Sequence, residues 1–298
     1  MLQSHIGEFA ALLTAICWTA TALAFESASH KVGSIPVNII RLVLAMLFLS
    51  LSTYIMRGMW LPTDATPKAW LWLSMSGLIG FVIGDLFLFK SYTVVGARIS
   101  MLMMTLVPPM TALIGWLMLG ETLSLFSIIG MTLTVGGIAL VILNRGEGER
   151  RFTVSHSIRG LFYAFMGAVG QAFGLIFSKI GMGSYNAFAA TQIRILTGIV
   201  GFVVLVTILR KWSGVMTGLR NLPAMKRITL GSVFGPFLGV SFSLYAIQHT
   251  SAGIASTIMS ITPILIIPPS LLLMKQRITT KEIVGAIISV AGVALFFV

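Results

Sequence analysis

The chain has 298 residues, 57% of them hydrophobic and only 9% charged, with a mean hydropathy of +0.99. Such a composition cannot keep a globular surface wet, which excludes a soluble domain and places the chain in a bilayer. The formal charge of +12 is carried in short segments between apolar runs rather than along one face, so nucleic acid is not the partner it implies.

Taken in chain order, apolar stretches long enough to cross ~30 Å of hydrocarbon as helices are expected at residues 7–25, 36–56, 69–89, 96–119 and 123–143. Five more are expected at 158–177, 187–209, 228–247, 252–274 and 283–298. None shows the period-2 alternation of a barrel strand. The first has no Lys or Arg before it and has an ordinary span as its counterpart, so it reads as a retained helix rather than a cleaved signal. The reading is an all-α membrane protein of ten transmembrane helices in two five-helix repeats: residues 6–143, a polar linker 144–157 and residues 158–298.

The repeat is written in the residues. Gly7, Ala15 and Arg41 return as Gly160, Ala168 and Arg194 at one offset. After a two-residue slip, Gly80, Gly84, Pro108, Gly130 and Gly137 return as Gly235, Gly239, Pro263, Gly285 and Gly292. An odd number of spans per copy inverts the second copy relative to the first, and an inverted pair around a midplane site is an architecture of secondary transporters. Of the 20 Lys and Arg residues, only Arg57, Lys68, Lys179 and Arg194 fall outside the odd-numbered loops. That bias predicts cytoplasmic odd loops and both termini outside.

The glycine pairs Gly80/Gly84 and Gly235/Gly239 permit close helix approach, either as static packing or as surfaces on which these two helices slide. Pro108, Pro109, Pro263, Pro268 and Pro269 break the fourth and ninth spans and free carbonyls at Met104, Thr105 and Met259, which Thr105, Ser260, Thr262 or a substrate can meet. The single cysteine, Cys17, supports neither a disulfide framework nor a metal site. No phosphate-binding loop, zinc-binding helix motif or nucleophile turn occurs, so neither catalysis nor ATP-driven transport is expected.

At Ala15 to Trp18, Arg41, the run from Ala97 to Pro108 into Leu119-Gly120-Glu121, and Gly130 to Leu140, the chain resembles the EamA-type members of the drug/metabolite transporter superfamily. The second copy echoes this at Arg194, Ala252 to Pro263 and Gly285 to Leu295, but has Lys275-Gln276 where the first has Gly-Glu. The resemblance covers nearly the whole chain. It implies secondary transport of small metabolites such as amino acids or drugs, often as export from the cell, through a central cavity between the copies. Spans three, four, eight and nine are expected to line that cavity. No cofactor or metal is expected; the partners are a small-molecule substrate and the lipid of a plasma or inner membrane, and the chain is read as a monomer or homodimer. A lipid-translocating or lipid-modifying membrane protein, or a non-transporting subunit, is the alternative.

Asp85 is the one acid well inside a span. It is open to three readings: an ion pair with Arg41 or Lys90, proton coupling, or substrate contact. The equivalent position in the second copy is Val240. Arg41 and Arg194 stand at helix ends where snorkelling to headgroups is the commoner role, and Glu26 and Lys179 stand at span ends near water. Trp18 and Gln171 are equivalent and each is a cavity candidate. Tyr92 and Tyr245 read as cavity or interface rings, and Met101, Met103 and Met104 as an adaptable apolar wall.

Overall fold

The computed structural model describes residues 6–119, 125–145, 152–154, 156–249, 255, 258–274 and 279–295. The Gly120-Glu121 mark, its counterpart Lys275-Gln276 and His5 lie outside them.

The first repeat contains α1 (Ile6–Val32), α2 (Ser34–Arg57), α3 (Pro67–Ser76), a π-helical segment Gly77–Gly84, α4 (Asp85–Met103), a 3-10 turn Met104–Leu106, α5 (Val107–Leu119) and α6 (Leu125–Ile142). The second contains α7 (Ile158–Met182), α8 (Ala187–Ile208), α9 (Trp212–Arg220), α10 (Leu222–Ser232), a second π-helical segment Val233–Gly239, α11 (Val240–His249), α12 (Thr262–Leu265), α13 (Ile267–Met274) and α14 (Thr280–Ala294). Among the described residues, six apolar helical stretches are long enough to cross a membrane, and Ile128–Ile142 and Thr262–Leu272 are shorter apolar helices. One of the six, Pro67–Ile114, runs to 48 residues, which as a straight helix is about 72 Å and twice the hydrocarbon thickness. Leu47, Ile55, Leu71, Ile208 and Leu272 stand exposed on the outside, as lipid-facing residues do.

Helix starts follow capping chemistry. Thr66, Ser157, Asn186 and Asn221 each accept a backbone N–H from the first turn of α3, α7, α8 and α10. Several boundaries differ from the sequence reading. α1 runs on to Val32 because no breaker occurs before Gly33, whose φ of 88° ends the turn. The loop expected between the third and fourth spans is a single-residue break: helix continues to Val95, and Gly96 alone leaves it at φ 81°, ψ 163°. The loop after the seventh span holds the short helices α9 and the start of α10. At the polar linker, read from residue 144, Leu143–Arg145 and Phe152–Val154 pair antiparallel as β1 and β2, so the first strand begins at the last residue of the expected fifth span.

The two repeats exchange partners symmetrically. α1 packs on α10, the second π segment and α11, while its counterpart α7 packs on α3, the first π segment and α4. α2 pairs with its own counterpart α8, and α6 with α14. At the last pair the contacts are reciprocal: Thr134 Oγ1 donates to Ser289 O (3.3 Å) and Ser289 Oγ donates to Thr134 O (3.2 Å), between equivalent residues. On one side of them Gly137 closes on Gly285, and on the other Gly292 closes on Gly130. A rising number on α6 thus meets a falling number on α14, so the equivalent helices run antiparallel. α2 and α8 do the same, with Leu42 against Gly198 and Ser50 against Gln192. Self-reciprocal contacts between antiparallel equivalents are the mark of a two-fold axis relating inverted copies.

The glycine pairs do not pack on each other, contrary to the sliding-helix expectation. Gly80 and Gly84 instead meet Gly174 and Gly170 of α7, and Gly235 and Gly239 meet Thr21 and Trp18 of α1. Each pair sits in its repeat's π-helical segment. In the first, the N–H of Asp85 reaches back five residues to Gly80 O. In the second, Pro236 has no N–H to give, so the ordinary ladder cannot pass through it.

Candidate functional site

Between the repeats lies a cavity of about 180 Å³, measured as the space open to the centres of water molecules. A single water needs only ~10–15 Å³ by that measure, so the space suits a small organic molecule. Both repeats line it through equivalent elements: Trp18, Thr21 and Phe25 from α1 face Gln171 and Leu175 from α7, and Arg41 from α2 faces Arg194 from α8. The first π segment and α4 contribute Phe81, Asp85, Leu88, Phe89, Tyr92 and Met101. The second contributes Gly235 and Pro236, with Val240 and Ser243 following on α11. The floor comes from the two proline breaks, Met104, Thr105, Val107 and Pro108 in one copy and Met259, Ser260, Thr262 and Pro263 in the other.

Two of the carbonyls freed at these breaks, those of Met104 and Met259, are met locally. Val107 N–H donates to Met104 O, Thr105 Oγ1 donates to Leu102 O (2.7 Å), and Thr262 Oγ1 donates to Met259 O (2.8 Å). Backbone at this depth must be satisfied by protein or face water, and Met104 O and Met259 O have partners within the chain.

Among the described residues, three charges line the cavity, and all are buried. Arg41 is 3% exposed, Asp85 4% and Arg194 5%. Asp85 Oδ2 is bridged by Arg41 Nη2, while Oδ1 accepts from Gln171 Nε2 at 2.7 Å. Gln171 thereby ties α7 of one copy to the acid of the other. Arg41 Nε donates to Asn38 Oδ1 (3.0 Å), and its guanidinium lies 4.6 Å from the Phe89 ring centroid. Of the readings of Asp85, the Arg41 pair is the one formed; Lys90 points outward and is exposed. Neither arginine snorkels. Arg41 turns inward onto Asp85 and the rings of its own copy, and Arg194 onto Phe81 of the other copy, so that rings and, for Arg41, a carboxylate replace water.

Arg194 is held differently. Its guanidinium lies 4.8 Å from the Phe81 centroid, and its Nε is buried with no hydrogen-bond partner among the described residues. Gly80 lies beside it: a Cβ there would stand in ordinary contact, 3.5 Å from Arg194 Nη2.

The remaining candidates divide. Trp18, Gln171, Tyr92, Met101, Thr105, Ser260 and Thr262 line the cavity, the Tyr92 hydroxyl reaching Met101 Sδ at 3.5 Å. Tyr245 is not among the lining residues; its ring stacks on His249 with centroids 4.0 Å apart. Met103 turns away into an apolar cluster with Ile99, Leu102 and Ile138. Glu26, expected near water, is 4% exposed beside the Gly96 break, whereas Lys179 is exposed as expected. The aromatic ring set Phe25, Phe81 and Phe89 and the residue Pro236 were not singled out from sequence. Phe81 and Pro236 occupy equivalent positions, so comparing the copies for differences inside the π segments would have found both.

Polar contacts also join the copies at both ends of α7. Beside its N-terminus, Arg98 Nε pairs with Glu282 Oε2 at 2.9 Å, near His156. Beyond its C-terminus, the Tyr185 hydroxyl donates to Asp64 Oδ1 (2.7 Å), Arg57 pairs with Asp64 Oδ2 (2.5 Å), and Gln192 Nε2 donates to Trp60 O (2.9 Å).

An inverted pair of helical repeats enclosing a cavity with buried charges at their interface is the architecture of a class of multi-pass membrane transporters. The model of the EamA-like transporter family matches residues 5–143 and 158–298. The chain belongs to that family, a transporter family within the drug/metabolite transporter superfamily, and carries two tandem repeats of it. A solved structure described as "Crystal structure of protein" has the same fold, with a TM-score of 0.62 at 14% sequence identity over 97% of this chain and 96% of that one. No match was found among curated proteins.

Proposed function

We propose that this protein is a secondary transporter that exports small organic metabolites across the cell membrane by alternating access, with ten crossings and the cavity between the repeats as its binding site. The observation that carries this reading is the cavity itself: it is built by equivalent elements of both copies and holds buried charges at their interface. The two polar clasps fit the same cycle. One lies at each end of α7, so opening one while the other stays closed exposes the cavity to one side at a time. Export agrees with the family resemblance, and cytoplasmic odd loops with the charge bias.

Reconstitution tests the reading. Purified protein in proteoliposomes is expected to catalyse saturable counterflow of a labelled metabolite, found by comparing the metabolite sensitivity of cells with and without the gene. Flux of lipid instead of metabolite, or no flux under any gradient, would overturn it.

A further inference from the structure

Among the described residues, the cavity is lined by two arginines and one acid, and the acid is engaged by Arg41 and Gln171. Arg194 is the charge left over. Its Nε is buried with no hydrogen-bond partner among the described residues, its guanidinium borders the cavity over the face of Phe81, and Asp85, already engaged, acts on it only through its charge. Burying a charge whose nearby acid is already paired with another arginine is costly. Keeping it is reasonable where a ligand completes the site.

We propose that the transported molecule is a small organic monoanion, a carboxylate on an apolar body, with the carboxylate received by Arg194. This rests on the reading of the cavity as the transport site. The formal excess of one positive charge matches a single carboxylate, and Asp85 disfavours a dianion such as a phosphate monoester by like-charge repulsion. A guanidinium presents a planar fork that a carboxylate meets with two parallel hydrogen bonds. The rest of the wall suits the ligand's other end, since Trp18, Phe25, Leu88, Met101 and Met104 offer apolar and aromatic surface and the two methionines adapt to shape.

The test compares 3-phenylpropanoate, 3-phenylpropanol and 3-phenylpropylamine, alike in body and different in charge, with phenyl phosphate as the dianion. A parallel aliphatic series runs from butanoate to octanoate. Apparent affinity is read from ligand-dependent thermal stabilisation of the full chain in detergent. Carboxylates are expected to bind at least about tenfold tighter than the matched alcohol or amine, as a charge-assisted hydrogen bond provides. Arg194→Gln is expected to abolish that preference and Arg194→Lys to keep part of it. Arg194→Met serves if the Gln variant does not fold. Equal or tighter binding of the amine, no binding by any carboxylate, or a preference that survives Arg194→Gln would overturn the assignment. Flux in proteoliposomes separates the two readings. Transport of alcohol or amine without carboxylate retains the transporter and overturns the anion site, whereas Arg194-dependent binding with no flux retains the site and overturns transport.

Discussion

Removing Asp85 leaves the Arg41 guanidinium buried with only Asn38 and aromatic faces for company. Asp85→Asn is therefore expected to lower stability by about 3–5 kcal/mol, as loss of one partner of a buried pair does, and a combined Asp85→Leu, Arg41→Met variant to recover most of it in detergent unfolding measurements. No recovery would mean that the pair does more than neutralise itself. At the Tyr185 end, burial works against the Asp64 carboxylate. The hydrogen bonds from Tyr185 and Arg57 outweigh it and hold the group below its ordinary range. A depressed folded-state value stabilises above the unfolded-state value of about 3.9 and is lost as pH falls through the folded one. Thermal stability is expected to drop on acidification below about pH 4 in the wild type, with a smaller drop in Asp64→Asn. Residues of this kind were half legible in the sequence. Asp85, Trp18 and Gln171 stood out because the copies differ there. Arg194 was passed over because its place near a helix end suggested headgroups, and only the exchanged packing of the copies turns that end inward.

At the scale of helices, the glycines decide how closely the copies approach. A Cβ on Gly170 would stand 2.5 Å from Gly84 Cα, so neither backbone can yield without moving α7 from the π segment. Gly170→Ala is expected to cost about 1–3 kcal/mol through overpacking, whereas Gly136→Ala, where a Cβ meets nothing within 4 Å, is expected to be neutral or to stabilise by up to about 1 kcal/mol. Chemical unfolding of the two variants checks both, and equal effects would contradict the packing described. Periodicity and composition made the helices legible, and the repeated glycines made their importance legible. The partner of those glycines was not, because Gly80 and Gly84 do not say which helix approaches them. The π geometry was hidden too: its signal is Pro236, which ordinary helix reading takes as a kink.

For the molecule as a whole, orientation is testable by a reporter fused after Val298. Activity only outside the cytoplasm agrees with the charge bias, and cytoplasmic activity rejects it. The clasps give a further expectation: cysteines replacing Arg98 and Glu282 in a Cys17→Ser background should, once cross-linked, stop transport reversibly, with flux restored by reduction. The inverted duplication was legible from spacing alone, since odd spans per copy leave no other arrangement. The exchange of first helices between copies was not, because a repeat in sequence is silent on which copy covers which. Transport by this chain is tested most directly by counterflow of labelled small metabolites into proteoliposomes containing it alone. Saturable counterflow that falls when Arg194 is replaced by Gln is the expected result; no counterflow under any imposed gradient, from protein shown to be folded, would contradict it.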